Sequence, residues 1–305
     1  MKDLRGVYPP AVTFFDAQGN PDLDAAKKHT DYLIDAGVDG IAYFGTSGEF
    51  FALSLQEKKE YLETMIRHVD GRVNVLAGVG DTIIVNTLDL LAFAEQAGAD
   101  GALIVNPYYC VFEEAMVEAY YSKLAESTKL PIVIYNFPGL TGFNFPPELV
   151  ERLALKHRNI VGIKETIGDA AHVQKMIDIR KKREDFIVYC AFENQAIGAL
   201  LGGARGFING SANFAPEYVV GIWRTFRDGD LAAAAEYHKK LTACMDFYTF
   251  ATPLYMSLKQ AVYTRVLGRN CGERLPALPL PPETRRIVYD TLKRMELIDD
   301  EVPFL

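Results

Sequence analysis

A lysine that closes an apolar run is the sharpest candidate for a nucleophile. Lys164 ends the segment 161–164, whose other residues are valine, glycine and isoleucine. Burial favours the neutral form of an amine, and a neutral lysine amine can attack a carbonyl carbon to form a Schiff base. The alternative is a lysine at the rim of the fold that reaches water or pairs with Glu165. The position of Lys164 therefore indicates either Schiff-base chemistry or an ordinary rim residue.

Two further polar positions could serve the same reaction. Tyr135 ends the apolar run 132–135, where its phenol could relay protons to a carbinolamine on Lys164. It could equally cap a core and hydrogen-bond a neighbour. Thr46 and Ser47 lie between two glycines, and their hydroxyls and backbone N–H groups could bind a small carboxylate. The same glycine-flanked segment would also suit a plain turn.

These residues follow short apolar runs that alternate with stretches of helical periodicity. Such alternation is typical of βα units around a buried parallel sheet. The predicted strands span 6–14, 40–44, 74–78, 101–105, 132–135, 160–164, 186–190 and 206–208. Eight units in sequence predict the α/β class with a (β/α)8 TIM barrel, and an open doubly wound sheet is the alternative. In such a barrel the active site lies at the C-terminal ends of the strands, where the candidate residues stand.

The alternation ends after the eighth predicted strand. The remaining chain predicts helices at 217–227, 230–248, 253–266 and 282–295. The last three exceed what the barrel needs, and no low-complexity linker precedes them. We therefore expect a barrel over residues 1–228 and a C-terminal helical extension over 229–305 that packs on it.

Composition and charge exclude several classes of partner. The 305 residues include 32 Lys and Arg against 40 Asp and Glu, a net charge of −8 that disfavours nucleic acid. No run approaches the roughly 18 apolar residues of a membrane span, and the N-terminus lacks the apolar core of a secretory signal, so we expect a cytoplasmic protein. The histidines fall in predicted helices or at their ends, where we expect roles on the solvent-exposed surface or at helix termini and no metal site; they are His29, His68, His157, His172 and His238.

Five motifs in this order resemble the dihydrodipicolinate synthase and N-acetylneuraminate lyase superfamily. They are GTSGE at 45–49, NPYY at 106–109, YNFPGLTG at 135–142, GIKET at 162–166 and GFINGSANFAPE at 206–217. The resemblance covers the whole chain, including the helical extension. It implies a class I, pyruvate-dependent aldolase barrel that forms a Schiff base and needs no metal or organic cofactor.

The resemblance also implies roles for individual residues. Lys164 matches the Schiff-base lysine of the family, and Tyr135 matches its proton-shuttling tyrosine. Thr46 and Ser47 match the pair that holds the pyruvate carboxylate. The backbone carbonyl of Ile208 falls where the family positions the ketoacid and its proton relay.

One matched residue implies a partner. Tyr109 matches the tyrosine that family members offer to the active site of a neighbouring subunit. The resemblance therefore implies a homo-oligomer, commonly a tetramer, acting on a small ketoacid and an aldehyde.

The motif at 135–142 separates the subgroups. The synthases proper usually carry an arginine where this chain has Leu140, and an isobutyl group cannot replace a bidentate contact to a carboxylate-bearing aldehyde. The neuraminate lyases have a loop closer to YNIPALSG. Phe137 and Thr141 instead resemble the residues at these positions in members that cleave 2-keto-3-deoxy sugar acids, such as 2-keto-3-deoxygluconate or the pentonate analogue.

The interpretation from sequence is reversible cleavage of a 2-keto-3-deoxy sugar acid to pyruvate and an aldehyde. Four alternatives remain open at this point: N-acetylneuraminate lyase, a keto-deoxy sugar-acid dehydratase, a dihydrodipicolinate synthase-like protein that Leu140 disfavours, and a barrel that binds a ketoacid without catalysis.

Overall fold

Eight short parallel strands form the centre of the fold in the computed structural model, which describes residues 2–305. The strands are β1 Gly6–Val7, β2 Gly40–Tyr43, β3 Asn74–Gly78, β4 Gly101–Val105, β5 Ile132–Asn136, β6 Ile160–Glu165, β7 Ile187–Cys190 and β8 Gly206–Phe207. From β2 to β8 each strand pairs with the next one in the chain, and β8 pairs with β1. The seam between β1 and β2 is joined by backbone hydrogen bonds on both sides of Ala42, to Pro9 and Ala11 (3.0 and 2.9 Å). The predicted (β/α)8 barrel is confirmed.

Twelve α-helices surround and extend the barrel. They are α1 Leu23–Asp35, α2 Leu55–Val69, α3 Ile84–Ala97, α4 Glu114–Glu126, α5 Pro138–Thr141, α6 Pro147–Lys156, α7 Ala170–Asp178, α8 Ala196–Gly202, α9 Pro216–Arg227, α10 Leu231–Ala243, α11 Tyr255–Val262 and α12 Pro282–Arg294. Local chemistry sets their starts. Ser54 and Glu57 form a capping box at α2, and Asp22 accepts the Ala25 N–H at α1.

The first strand is shorter than predicted. The sequence predicts a strand over 6–14, but β1 ends at Val7 and is followed by Pro9 and Pro10. Proline has no backbone N–H, so two consecutive prolines cannot continue a ladder of hydrogen bonds on both sides. The other seven strands begin and end within one residue of the predicted bounds.

The segment after α9 forms an extension that shares the buried core of the barrel. The side chains of Leu241, Phe247, Leu258 and Leu292 belong to the same apolar cluster as the strands. The predicted helix over 230–248 is wrong beyond Ala243, because the chain tightens into a 3-10 helix at Cys244–Thr249. The predicted helix over 253–266 likewise starts later and ends in a π-helical segment, Tyr263–Leu267. The predicted boundary at residue 228 lies in the turn between α9 and α10.

None of the helices within residues 2–305 is both long and apolar enough to cross a membrane.

Candidate active site

A cavity of about 280 Å³ opens at the C-terminal ends of the strands. Thr46, Ser47, Tyr135, Lys164 and Ile208 all line it. Five of the six predicted site residues are therefore brought together, although up to 162 positions separate them in the chain (208 − 46). The arrangement follows from parallel strands, whose C-terminal ends meet at one end of a barrel.

Lys164 lies in the wall of the cavity, buried to all but 4% of its surface. Its Nζ stands 3.9 Å from the centroid of the Tyr135 ring. The alternative pairing with Glu165 is not found, because successive residues of a strand point to opposite faces. The Glu165 carboxylate instead accepts a hydrogen bond from Asn136 Nδ2 (3.0 Å). An amine that is buried beside an aromatic ring and unpaired with a carboxylate has the surroundings of a nucleophile.

An irregularity between β5 and β6 sets Tyr135 opposite Lys164. Ile132 pairs with Ile160, but Val133 pairs with Gly162, so Val161 is an extra residue on β6. Without this bulge Tyr135 would pair with Ile163, and Lys164 would lie one residue beyond the position opposite Tyr135. Gly162 is required beside the bulge, because a Cβ there would lie 2.4 Å from the Ile187 carbonyl oxygen.

Tyr135 connects the lysine to the loop that follows β2. Its hydroxyl lies 3.1 Å from Thr46 Oγ1, and its ring stacks on Phe137 with centroids 6.1 Å apart. The loop itself is held tightly, since Thr13 Oγ1 donates to the Gly48 carbonyl (2.6 Å). A network of hydroxyls next to a buried amine can carry protons to and from a reacting carbonyl.

The extension supplies part of the cavity wall, which sequence reasoning missed. Met245, Tyr248 and Leu254 line the cavity from the segment between α10 and α11. Tyr248 donates to Glu193 (2.6 Å), a buried carboxylate that Ser211 Oγ also contacts (2.7 Å). Burial raises the pKa of Glu193 above its usual value. No local pattern identifies these three residues, because their side chains reach the barrel only through the long-range packing of the extension.

Thr166 also lines the cavity, two residues beyond the lysine and directly after β6. It belongs to the polar group that ends the sixth strand, so the rule for strand ends could have identified it. Its hydroxyl is buried and has no hydrogen-bond partner among residues 2–305. An unpartnered buried hydroxyl in a cavity wall is available to a ligand.

Tyr109 lies outside the cavity. Its side chain is 96% exposed, and its backbone takes a left-handed φ of 79°. Val111 and Met116 beside it in the chain are also exposed, at 67% and 55%. Leu140 is 56% exposed and does not line the cavity either.

The histidines only partly fit the expectation of positions on the surface or at helix termini. His157 caps the C-terminus of α6 as expected but is buried, at 9% exposure. His29 in α1 is buried to 1% exposure and donates from Nε2 to the Asn213 carbonyl (2.9 Å), so the expectation is wrong there. Burial lowers the pKa of His29 to about 4. In the described part of the chain, no group of three or more His, Cys, Asp or Glu residues is arranged to hold a metal ion.

Curated relatives match the chain over most of its length. The profile of the Dihydrodipicolinate synthetase family matches residues 3–295. The protein named "Probable 2-dehydro-3-deoxy-D-pentonate aldolase YjhH" of Escherichia coli K12 is 41% identical over 86% of this chain and 87% of its own. "Putative 2-dehydro-3-deoxy-D-gluconate aldolase YagE" of the same organism is 40% identical over 96% of this chain and 98% of its own.

Solved structures match the fold as closely. The crystal structure of YagE in complex with pyruvate superposes with a TM-score of 0.95 at 38% identity, covering 97% of this chain and 100% of that one. A further relative known by its sequence, a 4-hydroxy-tetrahydrodipicolinate synthase of Methanoculleus marisnigri, is 37% identical over 90% of this chain and 93% of its own. The similarity thus includes both the barrel and the extension.

Proposed function

The chain belongs to the dihydrodipicolinate synthetase family and is a carbon–carbon lyase, and from this premise we propose that it reversibly cleaves a 2-keto-3-deoxy sugar acid to pyruvate and an aldehyde. The observation that carries the proposal is the pair of Lys164 and Tyr135. A buried amine without a carboxylate partner stands 3.9 Å from the tyrosine ring in a cavity of suitable size. The names of YjhH and YagE, and the pyruvate in the YagE crystal, support this class of substrate.

Lys164 is the nucleophile in the proposed reaction. Its amine attacks C2 of the ketoacid, and the carbinolamine loses water to give an iminium. Tyr135 takes the proton of the C4 hydroxyl, the C3–C4 bond breaks, and its electron pair moves to the iminium to leave an enamine and a free aldehyde. Protonation at C3 and hydrolysis then release pyruvate and restore the amine. The iminium is the electron sink, so the path needs no metal or organic cofactor.

Thr46 and Ser47 bind the substrate carboxylate in this scheme. Both line the cavity, and Thr46 also contacts the Tyr135 hydroxyl. The carboxylate is thereby fixed next to the proton relay, which holds C2 within reach of Lys164. Ile208 lines the same cavity, and in this scheme its backbone carbonyl positions the ketoacid and its proton relay.

The charges of the cavity favour a sugar acid over aspartate semialdehyde as the second half of the substrate. Among the described residues that line it, Lys164 is the only one with a charged side chain. A carboxylate at the aldehyde end would therefore meet no arginine, and a buried carboxylate without a partner is costly. The walls near Phe137, Phe192 and Leu254 suit an uncharged aldehyde instead.

We also propose that the enzyme is a homo-oligomer, a tetramer by resemblance, working in the cytoplasm. Tyr109 is too exposed to serve its own cavity, and exposed Ile83, Val85, Val111 and Met116 accompany it. These residues follow the neighbouring strands β3 and β4, and exposed apolar side chains at one end of a barrel are typical of a protein interface. The four free cysteines fit a reducing compartment.

Borohydride trapping combined with product analysis tests the proposal. The protein is reduced with pyruvate and, separately, with 2-keto-3-deoxygluconate or the pentonate analogue, and peptides are mapped by mass. We expect an adduct on Lys164 and release of pyruvate from the sugar acid, both unaffected by EDTA. An adduct with a semialdehyde product and no pyruvate would identify a dehydratase, and cleavage of N-acetylneuraminate alone would identify that lyase. Full turnover by Lys164→Ala would overturn the mechanism.

A further inference from the structure

Directly behind the loop that carries Thr46 and Ser47 lies a buried cluster of three charges. Lys259 of α11 places its Nζ 2.7 Å from Glu49 Oε1 and 2.5 Å from Glu273 Oε2. The three side chains are exposed by only 0%, 1% and 4%. None of them lines the cavity, so the cluster has no place in the chemical steps described above.

Glu49 ties the cluster to the carboxylate-binding loop. Its φ of 49° is left-handed, a conformation that residues other than glycine rarely adopt. Its N–H donates to the Thr46 carbonyl (3.1 Å), so Glu49 closes the turn that contains both hydroxyls. A strained backbone of this kind persists only where surrounding contacts hold it. The ammonium of Lys259, 210 residues away in the chain, is such a contact.

The extension holds the other side of the cluster. Tyr263 donates to Glu273 Oε1 (2.8 Å), and Lys259 Nζ also lies 5.2 Å from the centroid of the Phe15 ring. A single buried ammonium serves two carboxylates, so neither carboxylate has a substitute partner of opposite charge within the cluster. Removal of one member of a buried ionic group leaves uncompensated charge and shifts its neighbours. The position of Glu49 therefore depends on α11.

We propose that Lys259, with Glu273, is a positioning residue that fixes Glu49 and thereby the geometry of the Thr46–Ser47 loop for the substrate carboxylate. This inference rests on the proposed function, because it assigns the loop to carboxylate binding. It makes the helical extension a part of the substrate-binding machinery as well as a cover on the barrel. Loss of the contact lets the loop relax, which weakens ketoacid binding before it affects Lys164.

The test uses pyruvate alone, so that it does not depend on the identity of the sugar acid. The concentration of pyruvate that gives half-maximal borohydride trapping is measured for the wild type, Lys259→Met and the uncharged triple variant Glu49→Gln/Lys259→Met/Glu273→Gln. We expect this concentration to rise about tenfold or more in Lys259→Met, with the trapping rate at saturation changed less than about threefold. The triple variant leaves no unpaired buried charge, and it takes the place of Lys259→Met in the measurement if that single variant fails to fold. Lys239→Met on α10, whose side chain is 70% exposed, is the matched control.

Amide hydrogen exchange gives a second readout. Exchange in the peptide covering residues 44–53 should increase in the folded variant, while peptides of β6 keep the wild-type rate. A wild-type half-saturating concentration in a folded variant, with unchanged exchange at 44–53, would overturn the positioning role. Absence of any trapping in the wild type would instead refute the proposed Schiff-base function, so the two failures are distinguishable.

Discussion

At the scale of single residues, the tyrosine hydroxyl is the group whose removal is most informative. Tyr135→Phe keeps the ring that stacks on Phe137 and faces Lys164, but it removes the hydroxyl next to Thr46. Loss of a proton relay costs roughly 10²- to 10⁴-fold in rate, so we expect kcat to fall by that range. Steady-state kinetics and the rate of borohydride trapping measure the effect. Tyr120→Phe, which removes a buried hydroxyl outside the cavity, should turn over normally; full activity of Tyr135→Phe would contradict the relay.

Glu165, the neighbour of Lys164, gives a prediction about stability. Burial raises the pKa of this carboxyl from 4.5 to about 8, so the folded protein holds a proton that the unfolded chain releases. This contribution to stability is complete below pH 4.5, decreases as the pH rises towards 8, and amounts to a few kcal/mol at most. Glu165→Gln resembles the protonated form. The decrease in the free energy of unfolding that Glu165 causes between pH 5 and 8 should therefore be absent in this variant.

Urea titrations at several pH values check the prediction for Glu165. Glu184→Gln, a change of the same kind at an exposed glutamate, is the control. Wild type and Glu165→Gln with parallel stability curves between pH 5 and 8 would show that Glu165 is ionised in the folded protein.

Single residues were predictable from sequence where a strand end identified them. Lys164 and Tyr135 end apolar runs, and the barrel brings such ends together whatever their separation in the chain. Met245 and Tyr248 reach the same cavity from a segment that was predicted as a continuous helix. Their position depends on how the extension packs, and no periodicity in the local sequence records that.

At the scale of elements, the bulge on β6 controls the register of the site. A Cβ on Gly162 would lie 2.4 Å from the Ile187 carbonyl oxygen, so Gly162→Ala must displace β7 or remove the bulge. Overpacking of this kind costs typically 1–3 kcal/mol, and a shift of register would also move Lys164 away from Tyr135. We expect a lower melting temperature and slower trapping. Gly168→Ala, where a Cβ meets nothing within 4 Å, is the control, and equal behaviour of the two variants would contradict the role of the bulge.

Glycines in the sequence predict where several helices end, whereas the two prolines after β1 end that strand earlier than its apolar sequence predicts. Three similar sequences precede β2, β4 and β8: AGVDG at 36–40, AGADG at 97–101 and GGARG at 202–206. Their second residue is predicted to be a left-handed glycine after a helix, and Gly37, Gly98 and Gly203 have φ values of 85°, 91° and 108°. The bulge on β6 left no such sign in the sequence, since Gly162 there reads as an ordinary strand residue. The first strand is shorter than its apolar sequence predicts, because Pro9 and Pro10 lack the N–H groups that a longer ladder needs.

At the scale of the whole molecule, the exposed Tyr109 predicts an active site that is complete only between subunits. If its hydroxyl serves a neighbour, each active site takes its lysine from one subunit and its tyrosine from another. Tyr109→Phe and Lys164→Ala then each impair activity, but they remove groups that different subunits contribute to the site. Mixing the two variants after partial denaturation should then restore activity, because a Tyr109→Phe subunit that keeps its lysine receives a tyrosine from its Lys164→Ala partner. Random pairing in a two-fold assembly restores roughly a quarter of wild-type sites.

The measurement is specific activity of the mixture against the mean of the separate variants, with subunit exchange followed by native mass spectrometry. The contact itself is tested by Val111→Glu/Met116→Glu, which places two charges in the exposed apolar group around Tyr109 and should lower both molecular mass and activity. Leu155→Glu, at a comparably exposed leucine of α6, should change neither. Hybrids that form without any gain in activity would place the function of Tyr109 within its own subunit, and a wild type that sediments as a monomer would remove the shared site altogether.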